Sequence, residues 1–316
     1  MMKKLPDVQD QESLYKIGID QVGIKNLIKK VKIKRNHETY TLGASFSAYV
    51  ELPPNMRGIH MSRNPESIEE VINEHSFRPV TSVEGLARIL SEKLLEKHDY
   101  SPTAIVEIRG VVIIEMAESS GGKVQKAYDI QSKSISIRNG NEINTKLYLG
   151  ISAQGMTSCP CAQELIKDYS KKMINQRIEE FQIPKDKIDD LLNVIPLASH
   201  SQRSKGTLII ELKEENTISL LELISIIQES MSAPIGGDVL KRTEEGKMVR
   251  LSHLNPRFVE DSIRIMADLA VKKLVNMPDD CEIIFRIDSL ESIHDYNACA
   301  EKNTTFGDLR REIRGE

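Results

Sequence analysis

A chain of 316 residues is long enough to bury one large core or two ordinary ones, and two domains are the better expectation. Hydrophobic residues make up 40% and charged residues 28%, the balance of a soluble globular protein and not of a disordered or fibrous one. With 43 basic and 47 acidic residues the formal net charge is −4, so no global field draws the chain to nucleic acid or to anionic lipid, and any bound phosphate must be met by local cations.

The opening MMKKLPDVQDQESLY has no apolar core of the kind a signal peptide needs, and no apolar run approaches a membrane span. A cytoplasmic protein with neither membrane nor nucleic-acid partner is expected. Residues 40–52 (YTLGASFSAYVEL) alternate β-branched and aromatic side chains and stop at Pro53-Pro54, which predicts a long strand. Helical patterns follow at 65–74 and 82–98, the second with Val83, Leu86, Ile89, Leu90 and Leu94 on one face and Thr81-Ser82 available as a cap. The stretches 104–116 and 126–137, separated by the turn-rich SSGGK, read as an antiparallel hairpin. The first half is thus strand, strand, helix, helix, strand, strand.

The second half repeats the order, with strands at 143–154 and 207–212, helices at 219–231 and 256–275, and a strand at 282–289. Residues 162–190, polar and helical in pattern, interrupt it as an inserted excursion. The expected class is α+β, with a first unit over 1–140 and a second over 141–316 that carries the helical insertion near 162–190.

Three stretches carry chemistry. Gly155-Met156-Thr157-Ser158-Cys159-Pro160-Cys161-Ala162-Gln163 lies at the end of a strand and the start of a helix. A helix N-terminus favours a thiolate, and the thiolate is the form that binds metal. Of the four cysteines, Cys159, Cys161, Cys281 and Cys299, the first two are in CxC and not CxxC spacing, with no second pair, so a structural zinc ribbon is not expected; a buried core thiol stays an open alternative. Ser199-His200-Ser201-Gln202-Arg203-Ser204 is a polar segment whose arginine and hydroxyls suit phosphate. Lys241-Arg242-Thr243-Glu244-Glu245 and Asn255-Pro256-Arg257-Phe258-Val259-Glu260-Asp261 are charge runs, which taken singly are solvated faces.

Together, GMTSCPCAQ, SHSQRS, KRTEE, NPRFVED and LESIHDYNA, preceded by Arg57-Gly58-Ile59-His60-Met61-Ser62-Arg63 and by LPDVQ at 5–9, occur in the order found in the type IB GTP cyclohydrolases. The chain resembles that family over nearly its whole length, and its archaeal, iron(II)-dependent branch in particular. It departs from the bacterial pattern in two places: an inserted helical segment separates Cys159 from His200, and Tyr296 stands where a second histidine is usual after His294.

The resemblance implies tandem tunnelling-fold units, antiparallel sheets with paired helices on one face, assembling into an oligomeric barrel, with a homotetramer expected. It implies a metal held by Cys159, His200 and Glu245 with a fourth position left open, as hydrolytic sites require. Cys161 and Glu244, neighbours of those ligands, are secondary candidates. The ligand set does not choose between metals on softness alone; iron(II) follows from the archaeal resemblance, with zinc or manganese possible in the same site. Glu260 resembles the base anchor, since a carboxylate offers only acceptors and guanine presents two adjacent donors; read without the resemblance, it is a charge complementing a helix dipole. The ESIH match makes His294 the expected proton shuttle, with a surface histidine as the alternative reading, and Arg57, His60, Arg63, Arg203, Lys241 and Arg242 are the candidates for the triphosphate, with His60 and Arg63 expected to complete a site on another chain.

The implied reaction is hydrolysis at C8 of GTP, loss of formate, ribose rearrangement and closure to 7,8-dihydroneopterin 2',3'-cyclic phosphate with release of pyrophosphate, an early step of archaeal methanopterin synthesis. The alternatives are a cyclohydrolase that keeps the triphosphate, another tunnelling-fold enzyme acting on a purine or pterin, and a non-catalytic purine-binding oligomer.

Overall fold

The computed structural model describes residues 7–35, 38–75, 82–117, 123–213, 218–235 and 240–316. Leu5 and Pro6 of the LPDVQ motif, Thr81 of the expected helix cap and residues 119–122 of the expected turn lie outside them. The chain divides into two compact units. One comprises Met1–Ile114, Ala127–Gly150 and Ile210–Asn216, the other Glu115–Lys126, Ile151–Ile209 and Thr217–Glu316. The class is α+β, antiparallel sheet with helices.

The first unit contains β1 (Ile19–Arg35), β2 (Glu38–Leu52), α1 (Arg63–Glu74), α2 (Val83–Lys97), most of β3 (Thr103–Ala117) and β4 (Lys123–Asn139), and the start of β5 (Glu142–Ser158). The strands lie in the order β1-β2-β3-β4-β5. The bounds of β1 were not legible in the sequence: the strand is lysine-rich, as suits an edge that must not pair with another chain. Its alternation survives only where Val31 and Ile33 turn inward. Ser82 caps α2, accepting the Gly85 N–H at 3.0 Å. The buried face of α2 is Val83, Leu86, Ala87, Leu90, Ser91, Leu94 and Leu95, and Ile89, expected on it, is only half-buried. Phe46, Ala48, Val50, Val106 and Ile108 of β2 and β3 are buried in the same unit's core. Gly140, at φ 65°, opens the two-residue turn between β4 and β5, a left-handed position that a side chain strains.

One buried polar network in this unit has directions that follow from its ends. Asn64 donates its amide hydrogen to Ala48 O at 2.9 Å, so its Oδ1 faces His98 Nε2 at 3.0 Å and that nitrogen carries hydrogen. His98 Nδ1 is then bare and accepts the Tyr100 hydroxyl at 2.6 Å, while Tyr100 accepts the His60 N–H at 3.4 Å. Burial, then the Arg63 and His60 charges, push His98 down to about 4. A folded pKa below the unfolded one means that the unfolded chain binds the extra proton first. The stabilisation is therefore complete above about pH 6.5 and is lost as pH falls toward 4, by on the order of 3 kcal/mol. We expect the urea midpoint of the wild type to fall across that window more steeply than that of His98→Gln. Parallel midpoints would show that His98 is not the group that titrates.

The second unit contains the end of β5, then α3 (Pro160–Gln176), α4 (Ile178–Phe181), a single 3-10 turn at Lys185–Lys187, α5 (Ile188–Val194) and most of β6 (Ser201–Leu212). It continues with α6 (Leu220–Glu229), β7 (Ala233–Pro234), α7 (Arg242–Leu254), α8 (Val259–Lys273), β8 (Glu282–Ser289), β9 (Ala298–Thr305) and α9 (Phe306–Arg314). Its strand order is β5-β6-β8-β9, with β7 on β5. Leu223, Ile226 and Ile227 of α6, Met266 and Ala270 of α8, and Phe285 and Ile287 of β8 are all buried in this unit's core. A side chain at Gly206 of β6 would come within 2.4 Å of Ile227, so the helix sits where only glycine allows.

Three elements here differ from the sequence expectation. β6 begins at Ser201 and not near 207, because Ser204 finds buried hydroxyl partners, Thr157 at 2.7 Å and Ser289 at 3.0 Å. The charge run 241–245 opens helix α7, which has only Ser252 fully buried and so shows no apolar stripe. β9 and α9 were not expected, since ACAEKNTT is polar, yet it pairs with β8 along its whole length.

Candidate active site

The candidate site of the second unit is built where β5 ends, α3 begins and β6 starts. Cys159 is the N-cap of α3, extended at φ −72° and ψ 117°, followed by Pro160 at the first helical position, where a missing N–H costs nothing. Its Sγ accepts the Ala162 N–H at 3.5 Å, so the sulfur stands at the positive end of the helix. Its backbone N–H donates to His200 O at 3.1 Å and its carbonyl accepts the Ser199 hydroxyl at 2.6 Å. Residues 40 apart in sequence are thereby held side by side. Cys161, one step on, is exposed.

The floor beneath them is hydroxyl-rich. Ser158 Oγ lies 2.7 Å from Ser201 Oγ and 2.5 Å from Ser252 Oγ, and the Ser158 N–H donates to Ser232 Oγ at 3.1 Å. Ser252 is the buried residue of α7, so this cluster ties that helix to the strand ends next to Cys159 and His200. Gln163 donates to Leu197 O and His253 O at 3.0 and 2.6 Å, and the Arg257 N–H donates to Ser158 O at 2.9 Å. Arg257 also donates to Glu229 O and Met231 O, at 2.6 and 2.9 Å, and so closes the carbonyl end of α6.

Glu245 stands exposed in the first turn of α7, seven residues before Ser252 and on the same helix face, about 10 Å along the axis. Glu244, beside it, has Oε2 accepting the Lys241 N–H at 3.2 Å, so it closes the helix start. Among the described residues, the one group of three or more ligand types whose atoms all lie within 4.8 Å is Asp7, Asp10 and His60; Cys159, His200 and Glu245 do not form such a group. Cys159 and His200 are brought side by side through their backbones, Cys159 N–H to His200 O.

Glu260 is exposed in the first turn of α8. Asp261 takes the capping role there, accepting the Phe258 N–H at 3.1 Å. The dipole-complementing function of this helix start therefore does not require Glu260, which has no bond or ion pair among the described residues. His294 is exposed, its ring stacked on Tyr296 at 4.8 Å and 6.5 Å from the His200 ring. Arg203, Lys241 and Arg242 are exposed.

The first unit presents the other motif. Arg57 and Gly58 donate backbone N–H groups to Gln11 O and Gln9 O, at 3.0 and 3.3 Å, and Arg57 Nη1 reaches Gln11 Oε1 at 2.8 Å. His60 Nε2 lies 3.2 Å from Asp10 and 3.9 Å from Asp7. Arg63, expected to meet phosphate, spends Nη1 on Lys97 O at 2.6 Å, the last carbonyl of α2.

Sequence reasoning passed over Gln202 and Glu291 although both lie inside quoted motifs. Gln202 Oε1 is 3.0 Å from His200 Nδ1, and Gln202 Nε2 donates to Glu291 Oε1 at 3.2 Å. The spacing of Gln202 two residues after His200 at a strand start, which puts both on one side, was the available signal.

A family model described as type I GTP cyclohydrolase folE2 matches residues 5–300. The chain is 37% identical over 315 residues to the GTP cyclohydrolase MptA of Methanosphaera stadtmanae, covering 98% of each chain. It is 38% identical over 309 residues to the GTP cyclohydrolase MptA of Methanocaldococcus jannaschii, covering 97% of each. In structure it is similar to a uricase from Bacillus fastidious, with a TM-score of 0.51 at 10% identity over 93% of this chain and 96% of that one, a likeness of fold alone.

Proposed function

The chain belongs to the type I GTP cyclohydrolase family and is a GTP cyclohydrolase, and from that premise we propose that it makes 7,8-dihydroneopterin 2',3'-cyclic phosphate, releasing formate and pyrophosphate. The observation that carries the site assignment is the pinning of Cys159 against His200 at the N-terminus of α3. A soft sulfur and an imidazole held together on a rigid hydroxyl-bonded floor suit a borderline metal ion. We assign Cys159, His200 and Glu245 as its holders and iron(II) as the resident metal. Bound there, the metal supplies a Lewis acid that activates water near neutral pH.

The remaining roles belong to side chains of this chain. The Glu260 carboxylate, unengaged by the helix cap, accepts from the ring N–H and the 2-amino group of guanine. His294, exposed and stacked on Tyr296, passes protons to and from the purine and ribose. Arg203, Lys241 and Arg242 are the cations for the triphosphate from the second unit. His60 and Arg63, with Arg57, are assigned to a site completed by another copy in a homotetramer of tandem tunnelling-fold units, whose halves are 1–140 and 141–316. Arg63, one of whose donors is already used on Lys97 O, has fewer to offer phosphate than the sequence implies. A cytoplasmic place in methanopterin synthesis follows from the same reading.

The test is anaerobic incubation with GTP and iron(II), with pterin fluorescence after oxidation and phosphorus NMR of the product. Pyrophosphate with a cyclic phosphodiester supports the assignment; a retained triphosphate assigns the chain to the other product class. Metal identity has its own test, because zinc stands above iron in the affinity order and occupies the same ligands. Metal-free enzyme reconstituted with iron(II) is expected to turn over faster than with zinc and to lose activity in air, as a thiolate beside a redox-active ion oxidises. Equal rates, indifferent to air, would refute iron(II).

A further inference from the structure

We propose that Gln202 is a positioning residue that locks His200 as its Nδ1–H tautomer and so keeps Nε2 bare for a metal ion. The inference rests on the reading of His200 as a ligand. His200 immediately precedes β6 and Gln202 lies two residues on, so their side chains share one side of the strand. Both are only partly exposed.

An amide side chain can face its neighbour with oxygen or with nitrogen, and the group behind it decides which. Behind Gln202 is Glu291, whose side chain is 9% exposed. A carboxylate offers only acceptors, so the Gln202 nitrogen turns to it, at 3.2 Å, and the amide oxygen is left facing His200 Nδ1 at 3.0 Å. The opposite orientation would set the amide oxygen against a carboxylate oxygen. With an acceptor fixed in front of it, Nδ1 must carry hydrogen, and in a neutral imidazole Nε2 then holds the lone pair. Glu291 itself is 3.9 Å from Nδ1, beyond hydrogen-bond reach, so the amide is the connecting piece. Such outer partners orient a metal-binding histidine and raise its basicity, and their loss typically weakens metal binding about 10- to 100-fold.

The experiment uses the full-length metal-free protein, kept anaerobic, with long-range proton–nitrogen correlation spectra of the histidine rings. His200 is assigned by its absence in His200→Gln. The wild type is expected to show the Nδ1–H form at His200. Gln202→Met, of similar length but without the acceptor, should populate the Nε2–H form and bind zinc and iron(II) about 10- to 100-fold more weakly at an unchanged unfolding midpoint. Gln202→Glu combined with Glu291→Gln keeps an acceptor oxygen in front of Nδ1 and a donor behind it, and should restore both. A merely structural role would move the midpoint and not the tautomer. An Nε2–H ring in the wild type, or a Gln202→Met protein with wild-type tautomer or wild-type metal affinity, would overturn the proposal. Metal affinity unmoved in His200→Gln would remove the ligand reading, and the proposal with it, whatever the tautomer does.

Discussion

Cys159→Ala and His200→Ala are each expected to abolish measurable turnover, a loss of at least about 10³-fold, and to lower bound metal to well below one ion per chain while the protein stays folded. The fold should survive because neither side chain contributes much to the core. The Cys159 sulfur makes one long bond, to Ala162 N–H at 3.5 Å, and the ties that hold the two segments together are backbone or serine bonds that both variants keep. Metal content measured on protein purified anaerobically, beside circular dichroism of the same samples, separates the two outcomes. Full metal content in both variants would sink the assigned site. Cys161→Ala serves as the comparison, since Cys161 is exposed and is expected to leave metal content unchanged.

Glu260→Gln is expected to keep its metal and lose roughly 10²-fold in GTP affinity. Guanine presents two neighbouring donors, and an amide can meet only one of them with oxygen, setting its own N–H against the other. The structure sharpens this expectation, because the alternative role for Glu260, complementing the N-terminus of α8, is already filled by Asp261. Helix stability should therefore be little changed in Glu260→Gln, whereas Asp261→Asn should lower the unfolding midpoint and spare GTP binding. Undiminished GTP affinity in Glu260→Gln, measured by equilibrium binding to metal-free enzyme, would return that residue to a surface charge.

The buried hydroxyls explain why these residues are worth testing as a group. Ser158, Ser201 and Ser252 meet within 2.5–2.7 Å, and two of them are the chain neighbours of Cys159 and His200. The same cluster reaches α7, the helix that carries Glu245 on the face of Ser252. Hydrogen bonds between polar groups are directional in a way that apolar packing is not, so they hold a strand end and a helix in one relative position.

The sequence by itself determined the family and the order of most elements, because those rest on local signals. Apolar periodicity marked α2, α6 and α8, Pro53-Pro54 stopped β2, and Cys159-Pro160 carries a helix start in its own residue types. Ordered motifs far apart along the chain pointed to one chemistry. What it left out were elements whose stability comes from partners distant in sequence. β9 is polar and exists because β8 offers it a full ladder, β1 is a lysine-rich edge held by β2, and α7 has no apolar stripe and is tied down by Ser252. The roles of neighbouring residues were equally out of reach. Only the tertiary structure decided that Asp261 and not Glu260 closes α8, that Glu244 and not Glu245 caps α7, and that Glu291 turns the Gln202 amide toward His200. A motif records which residue types are present, whereas the direction of each hydrogen bond depends on what the fold places behind it.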